Sequence, residues 1–321
     1  MAPYTFLALG PASAMADAAW ISHPMIKAIC QYEGAAITGK RWGSRVLGIG
    51  IDALVLALKT LQPSVSGPYF ATNPWIGAAL RLTGRKDFVV TGIYAEPSSR
   101  SWKILRRLIG DAPVITMSQS EAVPWNADGG NAWCVLYGNT LRYPPKQQSD
   151  EGFHIFVGGS SDRDPLAIRA LEDEVLASTT PVRLTIATGG PAGESRRGGN
   201  VVRRPGYVSQ KEFGELLSTA SVVFLPLARG TRAAGHMVLV GAVESGIAVA
   251  VTPNEGMREY VLDPGVALCD PDQPILPQLR ELADATRHRQ AEIHALWEEK
   301  LSLDSYISRI MELLEPARTT A

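Results

Sequence analysis

Two glycine-bearing turns in the second half of the chain carry the residue types that a phosphate group needs. The first is Gly158-Gly159-Ser160, with Arg163 about one turn later. The second is the small-residue stretch Gly230 to Gly235, with Arg229 and Arg232 beside it and His236 at its end. Glycine lets the backbone approach a ligand closely, and the N–H groups at a helix start accept dense negative charge. Arginine adds a planar fork that pairs bidentately with phosphate oxygens. A neutral His236 ring at the same helix start is able to donate a hydrogen bond to a phosphate or a sugar. A nucleoside diphosphate is the ligand class that this set fits. The alternative stays open at this point: the glycines only close tight turns, the arginines lie at the surface, and His236 bonds local backbone.

These residues are positioned by an alternation of short apolar runs and helix-length segments, the pattern of a parallel sheet covered by helices. In the first half, strands are expected at Tyr4–Leu9, Gly34–Thr38, Gly67–Ala71, Phe88–Ile93, Val114–Met117 and Trp133–Leu136. Helices are expected around Met25–Gln31, Val46–Leu61, Ile76–Thr83 and Ser99–Ile109, with Val46–Leu58 read as a buried helix. Tyr143 to Gly152 changes character, with two prolines followed by polar residues and a glycine, and sets the expected boundary between domains 1–147 and 148–321. The alternation then restarts. Strands are expected at His154–Val157, Arg183–Ala187, Val201–Arg203, Val222–Leu225, Ala248–Val251 and Val266–Cys269. Gly189–Asn200 reads as a loop, Pro165 to about Leu176, Gln210–Thr219, Gly235–Ser245 and Met257–Leu262 as helices, and Pro274–Glu299 and Ser302–Leu314 as long closing helices. At 321 residues the chain suits two Rossmann-like halves.

From Phe153 to Leu314 the sequence resembles the nucleotide-sugar domain of GT-B glycosyltransferases, in particular the retaining enzymes of family 4. Five stretches carry the resemblance in the family's order: Phe-Val-Gly-Gly-Ser-Ser-Asp-Arg-Asp (156–164), Pro-Gly-Tyr-Val-Ser-Gln-Lys-Glu-Phe (205–213) leading to residues 216–227, the segment 232–252, Glu-Gly-Met-Arg-Glu-Tyr-Val (255–261), and the tail 304–314. The resemblance implies an α/β fold of two Rossmann-like domains facing a cleft, the last helix packing back on the first. It implies a nucleoside-diphosphate sugar as donor substrate and no cofactor or metal. It places Gly158, Gly159, Ser160 and Gly235 at the donor, and Tyr207 and Val208 under the nucleotide base. Arg163, Arg232 and His236 would stabilise charge on the departing diphosphate, which in a retaining enzyme itself takes the acceptor proton. Two glutamates common in family 4 fall on Ala233 and Gly241, so both are missing. Glu244, nearly one turn on, is the candidate replacement for the second, and Glu255 and Glu259 are further acidic candidates near the sugar.

The first half resembles GT-B acceptor domains in organisation only. Candidate acceptor residues follow the expected strands: Gly10 and Ala12, Asn73 and Trp75, Tyr94 and Glu96, with Trp20 and His23 in the first loop. Aromatic faces beside amides and carboxylates suit a sugar or polyol, although packing serves Trp20 and Trp75 equally well. Glu96 is the general-base candidate if the reaction inverts, and His23 is the second.

Composition narrows the classes. Net charge −1 with 20% charged residues argues against broad binding to nucleic acid. The start of the chain lacks the basic n-region of a signal peptide, and no apolar run is long enough to span a bilayer. Cys30, Cys134 and Cys269 have no metal-ligand or disulfide spacing and read as free thiols of a cytoplasmic protein. The expected activity is transfer of a sugar to a small hydroxylated acceptor, as in secondary-metabolite or saccharide biosynthesis. A non-catalytic partner of another transferase and a nucleotide-sugar epimerase are the alternatives.

Overall fold

The structure, a computed structural model, describes residues 4–10, 23–24, 30–35, 45–65, 67–147, 152–230 and 234–319. The chain divides into two compact units, Met1–Val135 with Arg309–Ala321, and Leu136–Ser308. The division after Val135 precedes the proline-bearing stretch Tyr143–Gly152, where the sequence placed the boundary.

The first unit is one parallel sheet, made of β1 (Tyr4–Leu9), β2 (Cys30–Ala35), β3 (Tyr69–Ala71), β4 (Phe88–Thr91), β5 (Pro113–Thr116) and β6 (Asn131–Cys134) in the order β2-β1-β3-β4-β5-β6. Helices α1 (Arg45–Lys59), α2 (Pro74–Leu82), α3 (Arg100–Ile109) and α4 (Gln119–Ala127) connect the strands. Leu7, Val90 and Val114 of the sheet pack with Leu56, Ile76, Trp102 and Trp125 of the helices in one buried cluster. The start of α2 is set locally, by Pro74 at its first turn and by Asn73 Oδ1 accepting from Trp75 N–H at 2.9 Å.

The second unit begins with β7 (Phe153–Gly158), α5 (Pro165–Ala177), β8 (Val182–Ala187), β9 (Gly193–Arg197), β10 (Asn200–Arg204), α6 (Gln210–Ser218) and β11 (Val222–Leu225). It continues through α7 (His236–Glu244), β12 (Val249–Val251), β13 (Val266–Leu268), α8 (Ile275–Ala285), α9 (Gln290–Leu296) and α10 (Leu303–Thr319), whose end from Arg309 groups with the first unit. The sheet order is β13-β12-β11-β7-β8-β10-β9, parallel except for β9. Every residue of β11 and β12 is buried, which explains why these strands read as unbroken apolar runs. Ser209 and Glu212 form a capping box that starts α6.

Four expectations need correction. Cys30 and Gln31, read as helix, open β2, which ends at Ala35; the rest of that helix lies outside the described residues. The loop Gly189–Asn200 contains β9, which pairs antiparallel with β10. Its five residues are all exposed, so no apolar alternation marked it. Pro274–Glu299 breaks between Ala285 and Gln290, and α4, unassigned in the sequence, carries Pro124 inside it. Helix α1 is buried on one face only: Ala53, Leu56 and Ala57 are covered, whereas Leu47 is 61% and Leu58 49% exposed. Among the described residues no helix is long and apolar enough to cross a membrane.

Candidate functional site

In the second unit the chain leaves β7 for β8 on one side and later returns to β11 on the other. Such a switch point opens a crevice at the carboxyl ends of the two strands, where open α/β sheets bind ligands. The turns that leave β7 and β11 are the two glycine-bearing turns singled out in the sequence. They are stitched together by backbone: Asp164 N–H donates to Pro226 O and Ala228 N–H to Asp162 O, both at 2.9 Å, around a bridge between Arg163 and Leu227.

Arg163 lies where the two turns meet. Its Nε donates to Gly158 O at 2.8 Å and its Nη1 to Ser161 O at 2.7 Å. A Cβ on Gly159 would stand 2.6 Å from Arg163 Nη2, and one on Gly235 3.3 Å from Nη1. Both glycines also hold positive φ, 76° and 82°. Glycine is required at each for conformation and for room. Burial lowers the Arg163 guanidinium to about 10, an effect that Asp162 partly opposes. The group still carries its charge at neutral pH, and a guanidinium held by neutral carbonyls in a partly buried place favours an arriving anion.

Gly235 caps α7 without a side-chain cap, so the helix presents its first N–H groups beside Arg163. His236 is half-buried, with its ring 4.7 Å from that of Tyr137 at an interplanar angle of 64°. Ser160 is exposed on the first turn, and Tyr207, after Gly206, is 94% exposed beside half-buried Val208. Glu255 opens a 3-10 helix (Glu255–Tyr260) after β12, and Asn254 Nδ2 donates to Ala228 O at 2.8 Å, tying that helix to the Arg229 loop. Arg229, Gly230, Glu255, Arg258 and Leu268 line a pocket of about 610 Å³ there. Glu259 Oε2 is buried without a hydrogen-bond partner. Arg232 and Ala233 lie outside the described residues.

Glu244 is the residue that the structure takes away from this group. It ends the nine-residue α7, about 13 Å from Gly235 at 1.5 Å per residue. Its two carboxylate oxygens accept the backbone N–H groups of Leu141 and Arg142, each at 2.9 Å. Burial nevertheless raises its carboxyl, with those N–H groups opposing the shift. The candidate replacement for the missing glutamate is a clamp on backbone. At Gly241, the position of that glutamate, a Cβ would stand 2.5 Å from the Tyr143 ring, so the ring excludes any larger side chain.

In the first unit β1 and β3 flank the corresponding switch point, and Gly10 (φ 101°) and Asn73 follow their ends. Gly10 N–H donates to Ala35 O at 2.6 Å. Trp75 packs partly buried against the first core, which favours its structural reading. Tyr94, beyond β4, is held at φ 51° with its ring over Gly92. A non-glycine residue there costs about 1–3 kcal/mol and such residues cluster at ligand sites. Glu96 is exposed nearby and His23 is half-buried; Ala12 and Trp20 lie outside the described residues. Among the described residues no group of three or more His, Cys, Asp or Glu side chains forms a metal site.

Sequence reasoning missed the surroundings of His236. Tyr137, Asn139 and Tyr260 come from segments up to 123 residues apart and share no motif. It also missed the backbone stitch between the turns, which no side chain encodes.

No family model and no curated protein matches the chain in sequence. Solved structures do match it. Sucrose-phosphate synthase from Thermosynechococcus elongatus superposes with a TM-score of 0.71 at 11% identity, over 99% of this chain and 100% of that one. A glycosyltransferase from Rickettsia africae gives 0.66 at 12%, over 99% and 100%. Anabaena HepE, solved in complex with UDP, gives 0.65 at 14%, over 98% and 100%. What these likenesses establish is the fold: two Rossmann-like units, the GT-B fold shared by these glycosyltransferases.

Proposed function

We propose that the chain is a nucleotide-sugar-dependent glycosyltransferase that moves a sugar to a small hydroxylated acceptor with retention, acting in the cytoplasm. The observation that carries this reading is Arg163, held between Gly159 and Gly235 at the switch point of the second unit, beside the uncapped start of α7. That arrangement suits a diphosphate, and a likeness of fold to HepE, which was solved with UDP, points the same way. The diphosphate lies against the N–H groups of α7 and Arg163. Tyr207 stacks on the base, Ser160 and Val208 flank the nucleotide, and Glu255 reaches sugar hydroxyls. As the bond from the anomeric carbon to the phosphate oxygen breaks, negative charge grows on the diphosphate. Arg163, Arg232, the α7 amides and His236 stabilise it, with no metal needed. The departing phosphate oxygen takes the acceptor hydroxyl proton, and the acceptor oxygen bonds the anomeric carbon on the face just vacated. Gly10, Asn73, Tyr94 and Glu96 at the strand ends of the first unit are the acceptor residues, with His23 in the loop.

The test is a panel of nucleotide sugars and hydroxylated acceptors, assayed together for release of nucleoside diphosphate and for mass gain of the acceptor. Matched release and gain support the proposal. Binding without turnover favours the non-catalytic partner, a reading that the covered Gly241 keeps open. Isomerisation of donor alone favours the epimerase.

A further inference from the structure

His236 is not supported by its own helix alone. Tyr137 is 4% exposed, and its ring meets the His236 ring at 4.7 Å in an edge arrangement. The phenol is fixed from two directions: Tyr137 OH donates to Met237 Sδ at 2.8 Å and accepts from Asn139 Nδ2 at 2.9 Å. Its backbone N–H donates to Tyr260 OH at 2.8 Å, and Tyr306 places a third ring 5.4 Å away. Asn139 is held in turn, its N–H donating to Leu301 O and its carbonyl accepting from Trp297 Nε1, both at 2.9 Å. The intervening Gly138 has no room for a Cβ, which would run into the carbonyls of Leu301 and Ser302. The segment 137–139 is therefore held to the rest of the second unit by four hydrogen bonds, by the Tyr306 ring and by the close fit at Gly138, and a wall so fixed limits where the imidazole beside it can turn.

The geometry points to Tyr137 as a positioning residue that sets the orientation of the His236 imidazole at the start of α7. This rests on the reading of that helix start as the place where the departing diphosphate is held. The contact that matters is the ring face or edge. The hydroxyl serves to hold the ring, a task that Asn139 and Met237 share with the surrounding packing. A correctly aimed ring N–H contributes mainly as charge builds on the leaving group, so misaiming it lowers kcat more than donor binding.

The test is a double-mutant cycle on the full chain with Tyr137→Phe, Tyr137→Leu and His236→Ala, read by steady-state kinetics and by NMR of the His236 ring. Tyr137→Phe keeps the ring, so kcat stays within about threefold of wild type. Tyr137→Leu lowers kcat about tenfold, equivalent to about 1.4 kcal/mol, with donor KM within about twofold. The double variant is no slower than His236→Ala alone, and the His236 ring signals of Tyr137→Leu move toward those of an exposed histidine. Independent, multiplying effects overturn the proposal, as do unchanged ring signals in Tyr137→Leu. Should His236→Ala leave turnover intact, the catalytic reading of His236 falls separately, and the ring signals alone decide whether Tyr137 orients the imidazole. If Tyr137→Leu does not fold, Tyr137→Met, closer in volume, takes its place with the same expected outcomes.

Discussion

Replacing Arg163 by Ala tests the donor site at its most constrained point. The guanidinium is anchored through Nε and Nη1 to Gly158 O and Ser161 O, leaving Nη2 facing Gly159 and the α7 start. One charge-assisted hydrogen bond to a phosphate is worth about 1.5–3 kcal/mol. At about 1.4 kcal/mol per tenfold, the dissociation constant for a nucleoside diphosphate should rise roughly ten- to 150-fold. Ser161 is exposed and its carbonyl turns to water in the variant, whereas Gly158 is buried and its carbonyl loses a partner, so the variant should lose about 1–3 kcal/mol of stability and remain folded. Isothermal titration of wild type and variant measures the difference, with circular dichroism as the folding control. Because the guanidinium titrates near 10, affinity through this contact should hold level to about pH 9 and weaken above it. A folded variant with unchanged affinity would refute the placement of Arg163 on the diphosphate.

Four further outcomes are expected. Gly235→Ala introduces a Cβ at φ 82° and 3.3 Å from Arg163 and Leu227, so thermal denaturation should show a loss of about 1–2 kcal/mol, with weaker diphosphate binding. His236→Ala should lower turnover at least about tenfold at nearly constant donor affinity, in steady-state assays. Glu244→Ala leaves the Leu141 and Arg142 N–H groups without their acceptor and should cost about 2–4 kcal/mol in denaturant titration, while donor affinity changes less than about twofold. Burial depresses His154 to about 4, so its neutral form stabilises the fold above its unfolded value of 6.5 and that stability is lost as pH falls through 4. Between pH 7.5 and 5 the loss should be about 2 kcal/mol, and His154→Gln should flatten the melting profile over that range.

Much of the fold was legible because the strands that build the second sheet are buried on both faces. Val-Val-Phe-Leu at 222–225 leaves no reading other than an interior strand once glycine and helix signals flank it. Capping chemistry did similar service at Pro165, where Asp164 accepts from Leu166 and Ala167. Where the sequence misled, the signal was absent or masked. Strand β9 is wholly exposed, so it is held by backbone pairing to β10 and not by an apolar face. The proline in α4 hid that helix, although Trp125 and Ala122 bury one side of it. That Gly159, Arg163 and Gly235 lie together was legible because glycine and arginine at turn spacing have a physical meaning by themselves. Glu244 lies apart from these three because a helix position says nothing about which end of the helix faces the turns. Tyr137 was invisible because only the folded chain brings residues 137, 236, 260 and 306 together.

Hydrogen exchange of the full chain with and without saturating UDP, and then with other nucleoside diphosphates, addresses the central claim most directly. Exchange should slow in the two stitched turns, 158–164 and 226–230, and at the start of α7 from His236 to Leu239, with the pocket at Lys146 and Arg287 unchanged. No protection with any nucleoside diphosphate, or protection that leaves the turns after β7 and β11 untouched, would contradict it.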